Sequence, residues 1–476
     1  MIGKRQRNTA LLVAGCFFME NLDGTIVTTA APRIGANLHI APTSVGLVIT
    51  SYLMTLGVLI PLSGWMAGRF GNRRVLLAAI VTFTVASLLC ALSPDLGLLV
   101  AARVLQGIGG AMMVPVGRLT VLAGTARTDL LRLMSYIVWP ALVAPVIAPL
   151  VGGVITTYTS WRWIFLINIP LGVAAFSVAW RLLSPSPPST PAAALDWQGV
   201  ILTGSGLGSF TYTAHLLSEA HPGWASVVGF GAASVVLIAA AVRHLLVAPA
   251  PLVDLRTLRI PSLRLSLSGL SLFLITVGAV PFLLTLLFQD LFRWSPVKSG
   301  LVVLCVFIGN IAIKPATTGL LNRFGFRANL CAASLGVAVS LLITALVSAT
   351  TPIVLLAAVT VLGGAARSLG LTAYTTVSFS DVPENELRHA NTLAATTGQL
   401  FAGIGVAAAT VALRAGGPLG QLVSGHFTSG HPGPATAYHA AFCLLALIAV
   451  VGAVNAVRLP RDLGAPLRRP AARTAR

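Results

Sequence analysis

The sequence predicts an all-α polytopic membrane protein with about fourteen transmembrane helices, arranged as two six-helix halves with two helices inserted between them. Three observations predict this architecture. Hydrophobic residues make up 56% of the 476 residues and charged residues only 9%, whereas a soluble domain carries about 25% charged residues. Long apolar runs recur from near residue 10 to near residue 457. A segment with apolar ends and a basic centre also occurs twice, 254 positions apart.

The repeated segment is residues 61–77, PLSGWMAGRFGNRRVLL. It has the pattern of two spans joined by a short basic loop, in which glycines allow the chain to reverse direction. Its tripeptide Arg69-Phe70-Gly71 matches Arg323-Phe324-Gly325, and five further positions are identical in the same ungapped register. Many secondary transporters are built from parallel repeats of this kind. The offset therefore predicts that the two halves are related by duplication.

The predicted spans each have close to the roughly 20 residues that cross the hydrocarbon core. Six lie at about 10–30, 46–66, 75–93, 97–119, 135–157 and 163–183. Two follow a proline-rich linker, at about 197–217 and 223–245, and the last six lie at about 266–290, 299–321, 328–348, 352–374, 394–414 and 436–457. We therefore predict an N-terminal half at 1–183, a linker with two extra helices at 184–264, a C-terminal half at 265–458 and a basic cytoplasmic tail at 459–476.

The basic residues predict the orientation. With both termini in the cytoplasm, cytoplasmic segments hold 23 of the 31 lysines and arginines, outer loops hold 5, and 3 lie within spans. Cytoplasmic loops of membrane proteins carry such an excess. We therefore expect a multi-pass protein of the plasma (inner) membrane with both termini cytoplasmic, whose basic loops contact anionic lipid headgroups.

Several classes of function are disfavoured. The net charge of +19 is spread over short loops and tails, which argues against a nucleic-acid partner because no soluble domain exists to bind one. The five cysteines all lie in apolar segments without CxxC spacing, which favours packing over a metal site or disulfides. The sequence has no P-loop and no nucleophile elbow. We therefore expect no enzyme, no metal and no cofactor.

Ionisable residues inside the first half mark candidate coupling groups, since such residues usually face a bundle interior or a water-filled path. Glu20 and Asp23 share one face of the first helix, and Arg103 lies at a depth comparable to that of Asp23 in the fourth. In an Asp23–Arg103 contact, two effects would act on the carboxyl group in opposite directions. Desolvation favours its neutral form, and the nearby cation favours its charged form. The pair is either a proton-coupling site or a fixed link between two helices. For Glu20 both interpretations stay open.

Three residues of the second half are candidates for a substrate cavity: Lys314, Arg367 and Gln399. The two cations either meet an anionic group of the substrate or bond backbone carbonyls. In the fifth span, Pro145, Pro149 and Gly153 recur at a spacing of four, with Gly152 alongside. Such a stripe permits close helix approach and local bending, although ordinary packing would use the same residues.

These motifs resemble the major facilitator superfamily, in its fourteen-span drug:proton antiporter branch of the EmrB/QacA type. Leu22 to Pro32 resembles the first-helix motif of that branch, and Gly64 to Leu76 the loop signature. Arg103 with residues 106–110 resembles the fourth-helix motif, and residues 144–153 the antiporter motif. The resemblance implies a gating loop that includes Gly64, Gly68, Arg69, Gly71, Arg73 and Arg74. It also implies that Arg103 takes part in proton coupling.

Two departures concern gating and antiport. The loop signature normally has an aspartate where this chain has Gly68. The antiporter motif normally has glycines where this chain has Ala144 and Ala148. With these departures, we expect a monomeric, proton-coupled secondary transporter that exports amphipathic small molecules or drugs by alternating access. The alternative is a dedicated exporter of one metabolite, or a symporter, of the same fold.

Overall fold

A computed structural model describes residues 4–122, 130–184, 195–219, 222–383, 386–424 and 435–460. The described residues form α-helices throughout, with short 3-10 turns at Pro42–Val45 and Leu255–Arg259 and a π turn at Leu287–Leu291. Helices suit this composition because a helix satisfies its own backbone hydrogen bonds where lipid cannot. The tail at 461–476 and most of the proline-rich linker, 185–194, lie outside the described residues.

Ten helices precede the middle of the chain: α1 (Lys4–Asn37), α2 (Gly46–Leu59), α3 (Leu62–Phe70), α4 (Asn72–Leu92), α5 (Leu96–Leu122), α6 (Leu130–Tyr158), α7 (Trp163–Leu166), α8 (Asn168–Leu182), α9 (Trp197–Ser218) and α10 (Trp224–Val247). Six follow: α11 (Pro261–Leu286), α12 (Pro296–Ala312), α13 (Lys314–Ala345), α14 (Ile353–Ser378), α15 (Leu387–Ser424) and α16 (Ala435–Val457).

The described residues divide into two compact units. The first unit runs to Val253 and includes Phe288–Leu301. In it, α1 packs against α5, α6 and α8, while α4 packs against α5 and α8, and α9 lies against α2 and α10. The second unit begins at Asp254 and omits Phe288–Leu301. In it, α11 packs against α14, α15 and α16, and α13 packs against α14 and α16. The four sequence-based domain ranges stay a prediction.

Eleven helices in the described ranges are long and apolar enough to cross a membrane, and two shorter apolar helices cover Val143–Tyr158 and Pro296–Ala312. The 22-residue α9 stands where a further span is predicted. Each predicted span thus coincides with a helix, while the count of fourteen stays a prediction.

The two copies of the repeated loop share a backbone feature. Gly71, between α3 and α4, has φ 83°, and Gly325, at a non-helical kink where two helices meet within Lys314–Ala345, has φ 78°. A residue with a side chain rarely adopts such values. These two are the only glycines with positive φ among the described residues, and they stand at matching positions of the 254-residue offset. The repeat therefore extends to the conformation of the chain reversal.

The Asp196 side chain links the start of α9 to the end of α10. Its Oδ1 accepts the Gly199 N–H at 2.8 Å, which caps α9, and lies 2.6 Å from His244 Nε2 near the end of α10. Its Oδ2 accepts the Leu252 N–H at 2.9 Å, in the segment that leads to the second unit. Burial alone would raise the pKa of the Asp196 carboxyl, but these hydrogen bonds and the charge of His244 hold its pKa below the ordinary value of 3.8.

Asp196→Ala is expected to release the segment around Leu252, because the carboxylate joins that segment to both inserted helices. The lost cap alone should cost about 1 kcal/mol, and hydrogen exchange at the Leu252 amide should accelerate. Since the folded pKa is depressed, the stabilisation is present above pH 3.8 and is lost as the pH falls through the folded pKa. Asp95→Ala is a matched control, because Asp95 caps only its own helix at Leu98. Unchanged Leu252 exchange in Asp196→Ala would contradict the role of the carboxylate.

Candidate functional site: a buried ion pair in the first unit

The first unit places an ion pair in its interior. Asp23 lies on α1 and is 1% exposed, and Arg103 lies on α5 and is fully buried. Arg103 Nη1 donates to Asp23 Oδ2 at 2.5 Å. The contact between these two residues is therefore made, as their depths in the two spans suggested. Charge-assisted hydrogen bonds of this kind are short and strong.

Two amide side chains complete the environment of the carboxylate. Gln106, one turn beyond Arg103 on α5, donates through Nε2 to Asp23 Oδ1 at 2.9 Å. Asn168, at the start of α8, donates to the same oxygen at 2.8 Å. Both amides also donate to Ser87 Oγ on α4, at 2.8 and 3.3 Å. Asp23 thus accepts three hydrogen bonds in a fully buried polar cluster that joins four helices.

Arg103 has partners other than the carboxylate. Its Nη1 donates to Gln106 Oε1 at 2.6 Å and its Nε to the Val48 carbonyl at 3.3 Å. The guanidinium lies over the ring of Tyr52, 4.1 Å from the centroid, and 5.7 Å from the ring centroid of Phe165. Its buried Nη2 has no hydrogen-bond partner within the described residues. Cation–π contacts of this kind help to retain a desolvated cation.

The glycines of α5 explain how the cluster is assembled. A Cβ at Gly109 would lie 2.7 Å from the Phe83 nitrogen and 2.9 Å from the Ala79 oxygen, both in the backbone of α4. A Cβ at Gly107 would lie 2.7 Å from Thr55 Cβ on α2. Only glycine permits such an approach. These contacts bring Arg103 and Gln106 within reach of α1 and α4.

Glu20 lies one turn before Asp23 on α1 but outside the hydrogen bonds of the cluster. Its buried Oε2 has no hydrogen-bond partner among the described residues, and the same holds for Tyr52 Oη. A Cβ at Gly110 would lie 3.2 Å from Tyr52 Oη and 3.8 Å from Glu20 Cγ, so that Gly110 leaves room between them. Arg118 on α5 is close enough to Glu20 for their charges to interact. The proton-coupling role of Glu20 stays a prediction.

The loop residues lie at the end of α3 and the start of α4. Arg73 donates to the Trp180 carbonyl at 3.0 Å, and its guanidinium lies 5.0 Å from the centroid of the Trp180 ring. A Cβ at Gly68 or Gly64 would meet nothing within 4 Å. The site thus has room for the aspartate that the related signature carries, and the gating role of the loop stays a prediction.

The stripe on α6 makes three close contacts within the first unit. A Cβ at Gly153 would lie 2.6 Å from the Pro296 oxygen at the start of α12. On α12, a Cβ at Gly300 would clash with the backbone carbonyl of Pro149. Gly152 faces α1, where a Cβ would lie 2.8 Å from Ile26 Cγ1. The stripe therefore permits close approach, as its spacing predicted, and Ala144 and Ala148 fit there as fully buried residues.

The three second-half candidates lie on three different helices of the second unit, α13, α14 and α15. Arg367 lines an interior cavity of the second unit, whose described lining includes neither Lys314 nor Gln399. Lys314 is exposed at the start of α13 and donates to Thr372 Oγ1 at 3.0 Å. Gln399 is partly buried on α15. Their role in a substrate cavity stays a prediction.

Ser87 and Asn168 were missed by sequence reasoning, and Gln106 and Tyr52 were not assigned to the site. A lone amide within an apolar span is the one signal that could have identified Asn168, since a buried amide needs hydrogen-bond partners. Serine carries no comparable signal because its hydroxyl can donate to its own helix, as Ser87 Oγ does to the Phe83 carbonyl. The described residues contain no group of three or more His, Cys, Asp or Glu that could hold a metal ion.

Comparisons with known proteins agree with this architecture. The family model described as Major Facilitator Superfamily matches residues 13–406. A protein of Serratia proteamaculans (strain 568) named "Putative multidrug resistance protein MdtD" is 35% identical over 455 residues, covering 95% of this chain and 93% of the relative. A protein of the same name from Salmonella paratyphi A is 34% identical over 456 residues, covering 95% and 94%.

Two solved structures show the same fold. The POT family transporter PepTSo superposes with a TM-score of 0.66 at 14% identity, covering 98% of this chain and 99% of that one. A mutant of the nucleoside transporter NupG superposes with a TM-score of 0.65 at 13% identity, covering 94% and 98%. The expected all-α fold is thereby confirmed. The chain belongs to the major facilitator superfamily, and it is a multi-pass membrane transporter rather than an enzyme.

Proposed function

We propose that the protein exports amphipathic small molecules, drugs among them, in exchange for protons by alternating access. The observation that carries this proposal is the Asp23 carboxylate, which is 1% exposed and paired with Arg103 inside a membrane-spanning bundle. An ionisable residue at such a position is costly and usually functional. The multidrug-resistance name of the relatives supports the substrate class.

Asp23 is the group that takes up and releases the proton in this proposal. In the described state its carboxyl group accepts hydrogen bonds from Arg103, Gln106 and Asn168. A proton on Asp23 removes the charge that attracts Arg103. The guanidinium then keeps the Gln106 oxygen, the Val48 carbonyl and the Tyr52 ring. Protonation therefore loosens the contact between α1 and α5 without leaving Arg103 unpartnered, and this change biases the two states of the transporter.

The test is substrate-induced proton movement in proteoliposomes with a trapped pH-sensitive dye. A panel of cationic, neutral and acidic amphiphiles is added under an imposed substrate gradient, in both directions. Antiport is expected to move protons against the direction of the substrate. Protons that follow the substrate would indicate a symporter, and a response to one compound alone would indicate a dedicated carrier. No proton movement with any transported compound would refute proton coupling.

Insertion in the inner membrane with both termini cytoplasmic is part of the proposal, as is function as a monomer among anionic lipids. The bias of basic residues supports the orientation. Thr350, between α13 and α14, and Ala250, after α10, are both exposed, and the orientation puts them on opposite sides. A membrane-impermeant maleimide added to intact cells is expected to label Thr350→Cys and not Ala250→Cys. The parent protein with its own cysteines sets the background, and the reverse labelling pattern would refute the orientation.

A further inference from the structure

The second unit contains a cavity of about 30 Å³ among α11, α12, α13, α14 and α16. Its lining is mostly apolar, with hydroxyl groups from four helical positions and one charged side chain, that of Arg367. The hydroxyl residues are Thr276, Ser340, Thr344 and Thr360. Each of these hydroxyls donates to a backbone carbonyl, which leaves the guanidinium as the strong donor that faces the cavity.

This cavity is the counterpart of the ion pair in the first unit. The helices α1, α4, α5 and α8, which build the cluster around Asp23, correspond in order and mutual packing to α11, α13, α14 and α16. The 254-residue offset places Val277 at the position of Asp23. Aligning the leucine pair at 98–99 with that at 355–356 places Thr360 at the position of Arg103. Val277 and Thr360 both line the cavity, so the two charges of the first unit have neutral equivalents here.

Arg367 therefore brings a charge into this region without an acid to balance it. The sequences of α11 to α16 contain no Asp or Glu. Arg367 as a whole is partly exposed, yet its Nε and Nη1 are buried and have no hydrogen-bond partner within the described residues. The guanidinium lies 5.5 Å from the ring centroid of Phe307, which offsets only part of its desolvation. An arginine cannot avoid the cost by losing its proton, and a buried charge without a partner is strongly destabilising.

We propose that this cavity binds a small monovalent anion, of halide size, as the exchangeable counter-ion of Arg367. The volume suits such an occupant, since one water needs about 10–15 Å³ measured in this way and a monatomic anion is of similar size. Gluconate, a much larger anion, is the one that should not bind. The bound ion supplies to the second unit the negative charge that Asp23 supplies to the first. Stability of the protein should then depend on the identity of the anion, independently of what the protein transports.

The experiment measures thermal unfolding of the purified full-length protein in detergent micelles, with chloride, bromide or gluconate at one ionic strength. Linkage predicts that chloride raises the Tm of the parent protein in a saturable manner, by roughly 3 °C at about 100 times its dissociation constant. Bromide should act similarly. Equal Tm values in chloride and gluconate at all concentrations would overturn the proposal.

Two variants localise the effect. Arg367→Gln should abolish the difference between chloride and gluconate, whereas Arg323→Gln, which removes an exposed loop cation stacked on Phe324, should keep it. Val277→Asp places a carboxylate at the position equivalent to Asp23 and in the same cavity. It should make the Tm independent of chloride, with a Tm in gluconate no lower than that of the parent protein. Retention of the full chloride effect in Arg367→Gln would overturn the assignment.

A direct measurement covers the case in which Arg367→Gln does not fold. Crystals of the parent protein soaked in bromide should show one anomalous scattering peak within hydrogen-bonding distance of the Arg367 guanidinium. Bromide at other surfaces only, with no peak in this cavity, would overturn the proposal whatever the behaviour of the variants.

Discussion

Asp23→Asn is expected to reduce export against a concentration gradient to the level of protein-free vesicles. Asparagine keeps the shape of the side chain but carries no titrating proton, so an imposed pH gradient can no longer drive transport. The Asp23 carboxylate accepts hydrogen bonds from both Arg103 and Gln106. In the asparagine variant one of these two donors would face the amide N–H₂ group, which cannot accept a hydrogen bond. Substrate binding and exchange down a gradient should survive. The assay is uphill export with an imposed pH gradient, at matched expression.

The controls separate coupling from folding. Removing one partner of a buried pair costs about 3–5 kcal/mol, so the melting temperature of Asp23→Asn must be measured alongside transport. Asp23→Glu should retain partial activity, since an acid remains. Glu20→Gln should do less harm, because Glu20 lies outside the hydrogen bonds around Arg103. Uphill export by Asp23→Asn at the parent rate would refute the assignment and make Glu20 the next candidate.

Gly153→Ala is expected to have the second largest effect. The added methyl would lie 2.6 Å from the Pro296 oxygen, which is backbone and cannot rotate away. Overpacking of this kind costs roughly 1–3 kcal/mol, and a cost confined to the described state would shift its population by about 5- to 150-fold. Initial transport rates and the distance between spin labels on α6 and α12 measure the shift.

The matched control is Gly15→Ala on α1, where an added methyl meets nothing within 4 Å. Alanine is the better helix former, so this variant should be at least as stable as the parent protein and transport at the parent rate. Gly152→Ala should fall between the two, because the atom it approaches most closely, Ile26 Cγ1 at 2.8 Å, belongs to a side chain rather than to the backbone. A Gly153→Ala protein with parent rates and unchanged label distances would show that the contact has no part in the transport cycle.

The contact between Asp23 and Arg103 could be predicted from the sequence because a charged residue in a span has few permissible environments. The same reasoning predicted the close approach of the α6 stripe, since proline and glycine at a spacing of four leave little to separate two helices. In both cases the spacing of residues along the sequence is enough, because the rise per residue of a helix and the direction in which it crosses the membrane are known.

The amide partners of Asp23 could not be predicted in the same way. Asn168 reaches Asp23 from 145 residues away, and although a buried amide needs hydrogen-bond partners, the sequence does not show which residue is its partner. The hydrogen bonds of the Asp196 carboxylate join residues on either side of two helices. Its partner at Leu252 is a backbone N–H, which every residue but proline offers. The sequence shows that Arg367 lies in a half whose helices contain no acid. Only the packing of five helices shows that Arg367 lines a cavity.

The burial of Asp23 also has an energetic consequence for the cell. A carboxylate that is 1% exposed and held by three donors exchanges protons with water only when the surrounding helices part. In the described state the carboxyl group is therefore shielded from water. Under the proposed coupling through Asp23, a protein that rests in this state conducts no protons, and the proton gradient is dissipated only in steps that also move substrate.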